Sequence, residues 1–471
     1  MSDDRTALPP PYCAFVLPHH GGPSRARSGA RDRRVSVPAS RLAAFLALAV
    51  VTAGCARRPA ALCPRCNIVL ISIDTLRADH VGAYGYQRQT TPNIDRLAAQ
   101  AILFERAVSQ SAWTRPAHAS MFTGLYPHEH GILSVHPPRG LEPSARTIAA
   151  VLAEAGYQTA AFTGGGNMSA EFGFGVGFAV YRSPGRRFEQ TVAAALEWLG
   201  EAREPFFLFV HGLDVHRPYK PTAADRRALG LSPVAPADFA RACHGDRSAP
   251  VGPLVDQYDA AVHRADRSLG PLLKAVTEGP RAERTIVVVT ADHGEQLREH
   301  GGCFHIRTLY REVIEVPLIV RVPGLGARRV AGVVPASVAV APTLAELVLG
   351  RRGGLPGPTL VPVLAGGKPR FDYVVSETAA RATRTAGGRL VALTGNYDKL
   401  IRWIDRGRIA YYDLVADPGE KRPSYLAPRA SELGRWLEDW RIAHPRRLGV
   451  SAPMRPTARL KKDLRALGYL N

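Results

Sequence analysis

The sequence predicts an α/β protein: a mixed, mostly parallel sheet between helices, followed by a small antiparallel-sheet subdomain. Three observations carry this. Apolar, β-branched runs such as Asn67–Ile73 and Thr285–Thr290 are continuous rather than alternating, as in strands buried on both faces. They alternate with stretches of helical period, which makes βαβ units and hence parallel pairing. After Gly350 the texture changes to Gly- and Pro-rich sequence with short alternating runs.

The chain has 471 residues, enough for one large or two modest domains. Residues 1–40 are rich in Pro, Gly, Ser and Arg without a hydrophobic period, and read as disordered or as outside the mature protein. Arg31, Arg33, Arg34 and Arg41 lead into an apolar run from Leu42 to Ala53. That run is too short to span a bilayer and fits the core of a signal peptide. It ends Ala53-Gly54-Cys55, which resembles a bacterial lipoprotein cleavage site with Cys55 as the lipid-bearing residue. Thr52 departs from the bulkier residue such sites carry. Cleaved soluble export and an uncleaved anchor are the alternatives. A signal peptide this far along the chain places the true start near Val35 or Val37. The expectation is an exported bacterial protein, lipid-anchored to the cell envelope, with residues 1–66 as leader and linker around a segment at 41–55.

From Asn67 onward the elements follow in order. Asn93 to Ile102, Ala145 to Ala155, Phe188 to Leu199, Val255 to Val276 and Ala339 to Leu349 have helical spacing. Gln158 to Thr163, Phe206 to Val210, Thr285 to Thr290 and Val316 to Val322 read as strands. Beyond 350, Tyr373–Glu377, Leu390–Thr394, Lys399–Trp403 and Ile409–Leu414 read as the antiparallel sheet. The domain boundaries are therefore 67–350 and 351–471. Cys63-Pro64-Arg65-Cys66 is half a zinc site at most; in an exported protein a local disulfide is the better reading, with free thiols the alternative. Cys243 and Cys303 can pair, but the sequence does not show it.

The net charge of +20 raises the question of nucleic acid. Its distribution answers it: residues 1–66 carry ten Lys/Arg against three Asp/Glu, and residues 421–471 carry twelve against four. The excess sits at the two ends, so the body has no basic face to offer and no nucleic-acid partner is expected.

Three strands deliver polar residues to one sheet edge, where open α/β sheets place ligands. They bring Asp74, then His211 with Asp214 and His216, then Asp292 with His293. A single Asp-His pair after a strand is usually a turn; three deliveries point to a metal. Ser72-Ile73-Asp74-Thr75-Leu76-Arg77-Ala78-Asp79-His80, Tyr84-Gly85-Tyr86, Thr91-Pro92-Asn93-Ile94-Asp95 and the Thr114-to-Tyr126 segment resemble the sulfatase family of the alkaline phosphatase superfamily. The likeness runs in order to the C-terminus, through Tyr412-Asp413-Leu414 and the ending Leu467-Gly468-Tyr469. It implies an alkaline-phosphatase-like fold and one divalent ion (Ca, Mn or Zn) held by Asp74, Thr114, Asp292 and His293. His293 shifts the balance toward Mn or Zn.

The departures matter as much. Formylglycine sulfatases need Cys or Ser where this chain has Thr114, and threonine cannot become an aldehyde. A sulfated threonine has no carbonyl collapse by which to expel sulfate, whereas a phosphorylated one is open to water at phosphorus. The family's second Asp is Thr75 here, and its Lys and His on the Gly-Lys-Trp-His segment are missing near Thr163–Gly166. His118 stands where sulfatases have Arg, within reach of the nucleophile. His216, in Asp214-Val215-His216-Arg217-Pro218-Tyr219, is the expected acid for the leaving group, and His305 is preferred over His300 as an oxyanion contact. The expected function is a metal-dependent ester hydrolase or transferase acting on phosphate- or sulfate-type esters, with Thr114 as nucleophile. The substrate is an anionic ester, of a glycan, lipid or cell-envelope polymer. A sulfuric ester hydrolase working without formylglycine, and a non-catalytic glycan binder, are the alternatives.

Overall fold

The computed structural model describes residues 61–232, 243, 250–380, 388–426, 428–449 and 451–469. The leader expectations, Cys55 among them, lie outside these residues. The large sheet is built from β1 (Asn67–Ile73), β2 (Ile102–Val108), β3 (Gln158–Phe162), β4 (Val180–Arg182), β5 (Phe206–Gly212) and β6 (Thr285–Thr290). A short ladder of β7 (Gln296–Leu297) and β8 (Cys303–Phe304) follows. β9 (Glu315–Val316), β10 (Leu318–Arg321) and β11 (Arg328–Pro335) then return to the large sheet. Its order is β11-β2-β10-β6-β1-β5-β3-β4, with β9 beside β2. Every pairing is parallel except those of β9 and β10.

β1 and β5 are buried along their whole length, and Phe206, Phe207 and Phe209 lie at the centre of the core. Helices α1 (Pro92–Ala98), α4 (Phe188–Glu201) and α5 (Gly252–Thr277) pack together, as do α2 (Thr114–Thr123), α3 (Ile148–Glu154) and α6 (Ser337–Leu349). These two sets flank the sheet. The expected helix from Asn93 to Ile102 is shorter than its periodicity suggests, because Ile102 already belongs to β2. β2 and β11 escape a hydrophobic reading because both carry charges. Glu105 in β2 pairs with Arg329 in β11 at 2.8 Å, and Arg106 pairs with Glu315 at 3.2 Å. The expected strand from Val316 to Val322 is two strands, split at Pro317, which lacks the N–H a ladder needs.

The second sheet, β12 (Val374–Ala380), β13 (Gly388–Thr394), β14 (Asp398–Trp403) and β15 (Arg408–Asp413), is antiparallel throughout. One face packs Leu390, Ala392 and Ile401 against Val108, Leu309 and Val313 of the larger body. The other is covered by Leu433 and Leu437 of α7 (Pro428–Ala443). A last helix, α8 (Ala458–Ala466), lies against the larger body through Leu460 and Leu464. Cys63 is bonded to Cys66, and Cys243 to Cys303. No helix among the described residues is long and apolar enough to cross a membrane.

One buried ion pair ties the small sheet to the large body. Lys399 Nζ donates to both Glu420 oxygens, at 2.8 and 3.0 Å, and neither side chain is exposed. The same carboxylate accepts the N–H of Arg311 at 3.1 Å. Lys399→Ala strands Glu420 as an unpaired buried charge and is expected to cost about 3–5 kcal/mol in urea unfolding. Replacing both residues with apolar ones should recover most of that loss.

Candidate active site

Register brings the site together. β1 lies between β5 and β6, with Ser72 opposite both His211 and Thr290. The carboxyl ends of three neighbouring parallel strands therefore finish level. Asp74 emerges in the middle, His211 on one side, and Asp292 with His293 on the other. Thr75 takes a left-handed φ of 60°, costly for a β-branched residue, and the turn is clamped by its surroundings. Its N–H donates to Asp292 Oδ1 at 3.3 Å, and its carbonyl accepts from Tyr258 at 2.7 Å. Gly294 allows the other turn to close, since a Cβ there would sit 2.2 Å from the Glu312 carbonyl oxygen.

Thr114 is the first residue of α2, after an extended Trp113. Its side chain sits at the positive end of the helix. Its Oγ1 lies 3.5 Å from Asp74 Oδ2. Asp74, Thr114, Asp292 and His293 thus converge, and all four are essentially inaccessible to solvent. Ligand atoms of Asp74, Asp292 and His293 lie within 4.8 Å of one another.

These residues fit a divalent cation. Asp74 Oδ1, Asp292 Oδ2 and His293 Nε2 are buried without any hydrogen-bond partner. His293 Nδ1–H donates to the Gly294 carbonyl at 2.9 Å, which fixes the tautomer and leaves the Nε2 lone pair facing the carboxylates. Nε2 is 3.4 Å from Asp292 Oδ2 and 3.9 Å from Asp74 Oδ1. Burial pushes the Asp74 carboxyl upward; burial and then the Asp74 charge do the same to Asp292. Two such groups side by side call for a positive charge between them.

His211 plays a different part. Its Nδ1 accepts the Gly164 N–H at 3.4 Å, so the ring proton sits on Nε2, 3.3 Å from Asp74 Oδ2. It lies against that carboxylate without a hydrogen bond to it, so Nε2 is a further buried polar atom left without a partner at the site. Asp214 turns away to accept the Phe188 N–H at 2.6 Å, at the start of α4.

His118 is set between α2 and β1, in contact with Thr114 as expected from its place in the sequence. Both of its nitrogens are committed. Nδ1–H donates to the Thr114 carbonyl at 2.9 Å, and Nε2 accepts from Ser72 at 3.0 Å. Burial pushes it down to about 3, so it stays neutral. It holds α2 against β1, and its Nδ1 also lies 3.6 Å from Asp292 Oδ2.

His216 and His305 face the space in front of Thr114. His216 Nδ1–H is fixed on the Arg217 carbonyl at 2.6 Å, leaving Nε2 turned inward; burial pushes the ring down to about 4. His305 Nδ1–H donates to Glu295 Oε1 at 2.8 Å, and Glu295 also accepts from Tyr219 at 3.1 Å. His300 is elsewhere, bonded to Glu312 at 2.8 Å and stacked on Tyr310. One further side chain enters: Tyr469, its hydroxyl 2.9 Å from His305 Nε2 and 3.4 Å from Thr114 Oγ1. Sequence reasoning gave no role to Tyr469, Glu295 or Ser72. The ending Leu467-Gly468-Tyr469 was the available signal for the first.

A family model described as Sulfatase matches residues 66–350. The chain belongs to the sulfatase family. Among its relatives, this sulfatase-family chain is 24% identical over 431 residues to the delta 4,5-hexuronate-2-O-sulfatase of Bacteroides thetaiotaomicron, covering 78% of this chain and 86% of that one. It is 26% identical over 438 residues to human arylsulfatase A, covering 78% and 80%. The phosphonate monoester hydrolase of Agrobacterium radiobacter has the same fold, with a TM-score of 0.65 at 21% identity over 81% of this chain and 96% of that one. This sulfatase-family protein is accordingly an ester hydrolase with an alkaline-phosphatase-like fold. Asp292→Asn removes one of the facing charges, and bound divalent metal should fall from one equivalent to near zero by elemental analysis. Two equivalents in the wild type would contradict a single centre.

Proposed function

We propose that this sulfatase-family enzyme hydrolyses or transfers anionic esters through a covalent Thr114 intermediate, with phosphorus rather than sulfur as the reacting centre. The carrying observation is that a threonine, not a precursor of formylglycine, stands 3.5 Å from Asp74 in the shared site. A divalent cation held by Asp74, Asp292, His293 and the Thr114 hydroxyl would offset charge on the ester's non-bridging oxygens and lower the hydroxyl pKa. Thr114 Oγ1 attacks phosphorus as its proton passes to Asp74 Oδ2. The positive end of α2 stabilises the charge that develops.

The bond to the leaving oxygen breaks on the far side, where His216 Nε2 faces. That ring is neutral in the free protein; an anionic ester beside it raises its proton affinity, so it binds a proton with substrate and gives it to the departing alcohol. The neutral ring then takes a proton from the water that attacks the phosphothreonine, and as phosphate leaves, Asp74 returns its proton to Thr114 Oγ1. An acceptor alcohol in place of water gives transfer. His305, braced by Glu295, sits beside the same leaving oxygen.

Sulfate ester hydrolysis is the second reading, favoured by the names of the relatives. Side-by-side assays with nitrophenyl phosphate, a phosphodiester, a phosphonate ester and a sulfate ester separate the two. With the preferred ester, Thr114→Ala should lose on the order of 10⁴-fold or more in kcat. Phosphorus NMR of trapped wild type should show a phosphothreonine; an unchanged rate in the variant would refute the nucleophile. For the leader, we propose export and lipid attachment at Cys55. Labelled palmitate should enter the wild type and not Cys55→Ala.

A further inference from the structure

The polar groups in front of Thr114 converge on one atom, the phenol oxygen of Tyr469. It lies 2.9 Å from His305 Nε2, 3.4 Å from His216 Nε2 and 3.4 Å from Thr114 Oγ1. In-line displacement puts attacking and leaving oxygens on opposite sides of one central atom. An oxygen near the nucleophile and flanked by the imidazole that protonates the departing alcohol is in the leaving oxygen's place. The ring packs against both imidazoles, 5.9 Å from His216 and 6.0 Å from His305 by centroids, with the two imidazoles 5.2 Å apart.

With Tyr469 in position the site is closed: Thr114, His216 and Tyr469 are 1%, 2% and 7% exposed. Something must move to admit an ester, and the Leu467–Tyr469 segment, packed in the core through Leu467 and Tyr469, has no backbone hydrogen bond to any other part of the site among the described residues. Its N–H groups donate only back into α8, to Asp463, Arg465 and Leu464. α8 itself is anchored separately, by Leu460 and Leu464 in the core, by Arg186 on Asp463 at 2.8 Å and by Thr457 on Glu171 at 2.8 Å. Gly468, at φ 80°, turns the tyrosine inward; a Cβ there would meet Arg217 at 2.5 Å. Withdrawing the segment breaks no sheet bond and leaves α8 anchored, at the cost of the packing of Leu467 and Tyr469 and of the phenol's contacts.

We propose that Tyr469 fills the leaving-group subsite as an intramolecular alcohol and determines specificity. Only an ester whose alcohol part displaces the Leu467–Tyr469 segment reaches Thr114. This rests on the roles proposed for Thr114 and His216. A ligand that must displace a resident group binds more weakly by the fraction of time the site is open.

The test uses the full chain, with 4-methylumbelliferone as the alcohol and its phosphate ester as substrate. Tyr469→Ala should tighten umbelliferone binding, read by fluorescence, and lower KM by about tenfold with kcat no lower. Tyr469→Phe keeps the ring but removes the hydroxyl contacts, and should shift both values the same way by a smaller factor. It decides the matter if the alanine variant fails to fold. Unchanged umbelliferone binding in both folded variants overturns the proposal. So does a fall in kcat with affinity unchanged, which would assign the phenol to the chemistry itself. The nucleophile reading fails separately, through turnover that survives Thr114→Ala, while umbelliferone binding still reports on Tyr469.

Discussion

Two carboxylates on adjacent parallel strands, fully buried and turned toward each other, are the constraint around which this molecule is arranged. Asp74 and Asp292 finish level because β1 and β6 pair without a slip from Asn67 to Ser72. A shift of one residue would invert every side chain on the strand and take one carboxylate out of the site. Keeping both acids side by side costs free energy. The surrounding elements offset it: Tyr258 and the strained Thr75 turn, the Gly294 turn, and Ser109, whose hydroxyl donates to the Asp292 carbonyl oxygen. Around that pair, imidazoles are sorted by tautomer rather than by position. His293 presents a lone pair, His211 a proton, and His118 neither, because its two nitrogens are spent on β1 and α2.

Much of the architecture could be read from the chain because it is written locally. Continuous apolar runs gave β1, β5 and β6, and helical period gave α5 and α6 within a few residues. The small sheet announced itself by a change of texture and by alternation. β2 and β11 did not, since their charged residues are balanced only across strands, by Arg329 on Glu105 and Arg106 on Glu315. A pairing between residues more than two hundred positions apart leaves no local trace.

The site divides in the same way. Asp74, Asp292 and His293 stand at the ends of strands, where topology alone predicts function. Thr114 needed the family likeness to single it out. The bracing groups were invisible: Ser72 looks like another strand residue, and Glu295 like one more acid in a turn. Tyr469 comes 355 residues after Thr114, and only tertiary packing brings them together. The orientation of His118 has the same origin, since its proximity to Thr114 was legible and the direction of its ring was not.

The family match ends at residue 350, yet the structure has no seam there. Glu377 of β12 holds His128 at 2.7 Å, and its carbonyl takes the Ser111 hydroxyl three residues before Thr114. The Glu420 carbonyl oxygen accepts from His300 at 2.9 Å on the loop that leads to His305. A polypeptide severed at that boundary would keep Asp74, Thr114, Asp292 and His293 and lose the contacts made to the segments that lead to Thr114 and His305. In this protein the stretch that defines kinship is shorter than the stretch that must fold together, and swapping catalytic halves between relatives would have to carry the small sheet along.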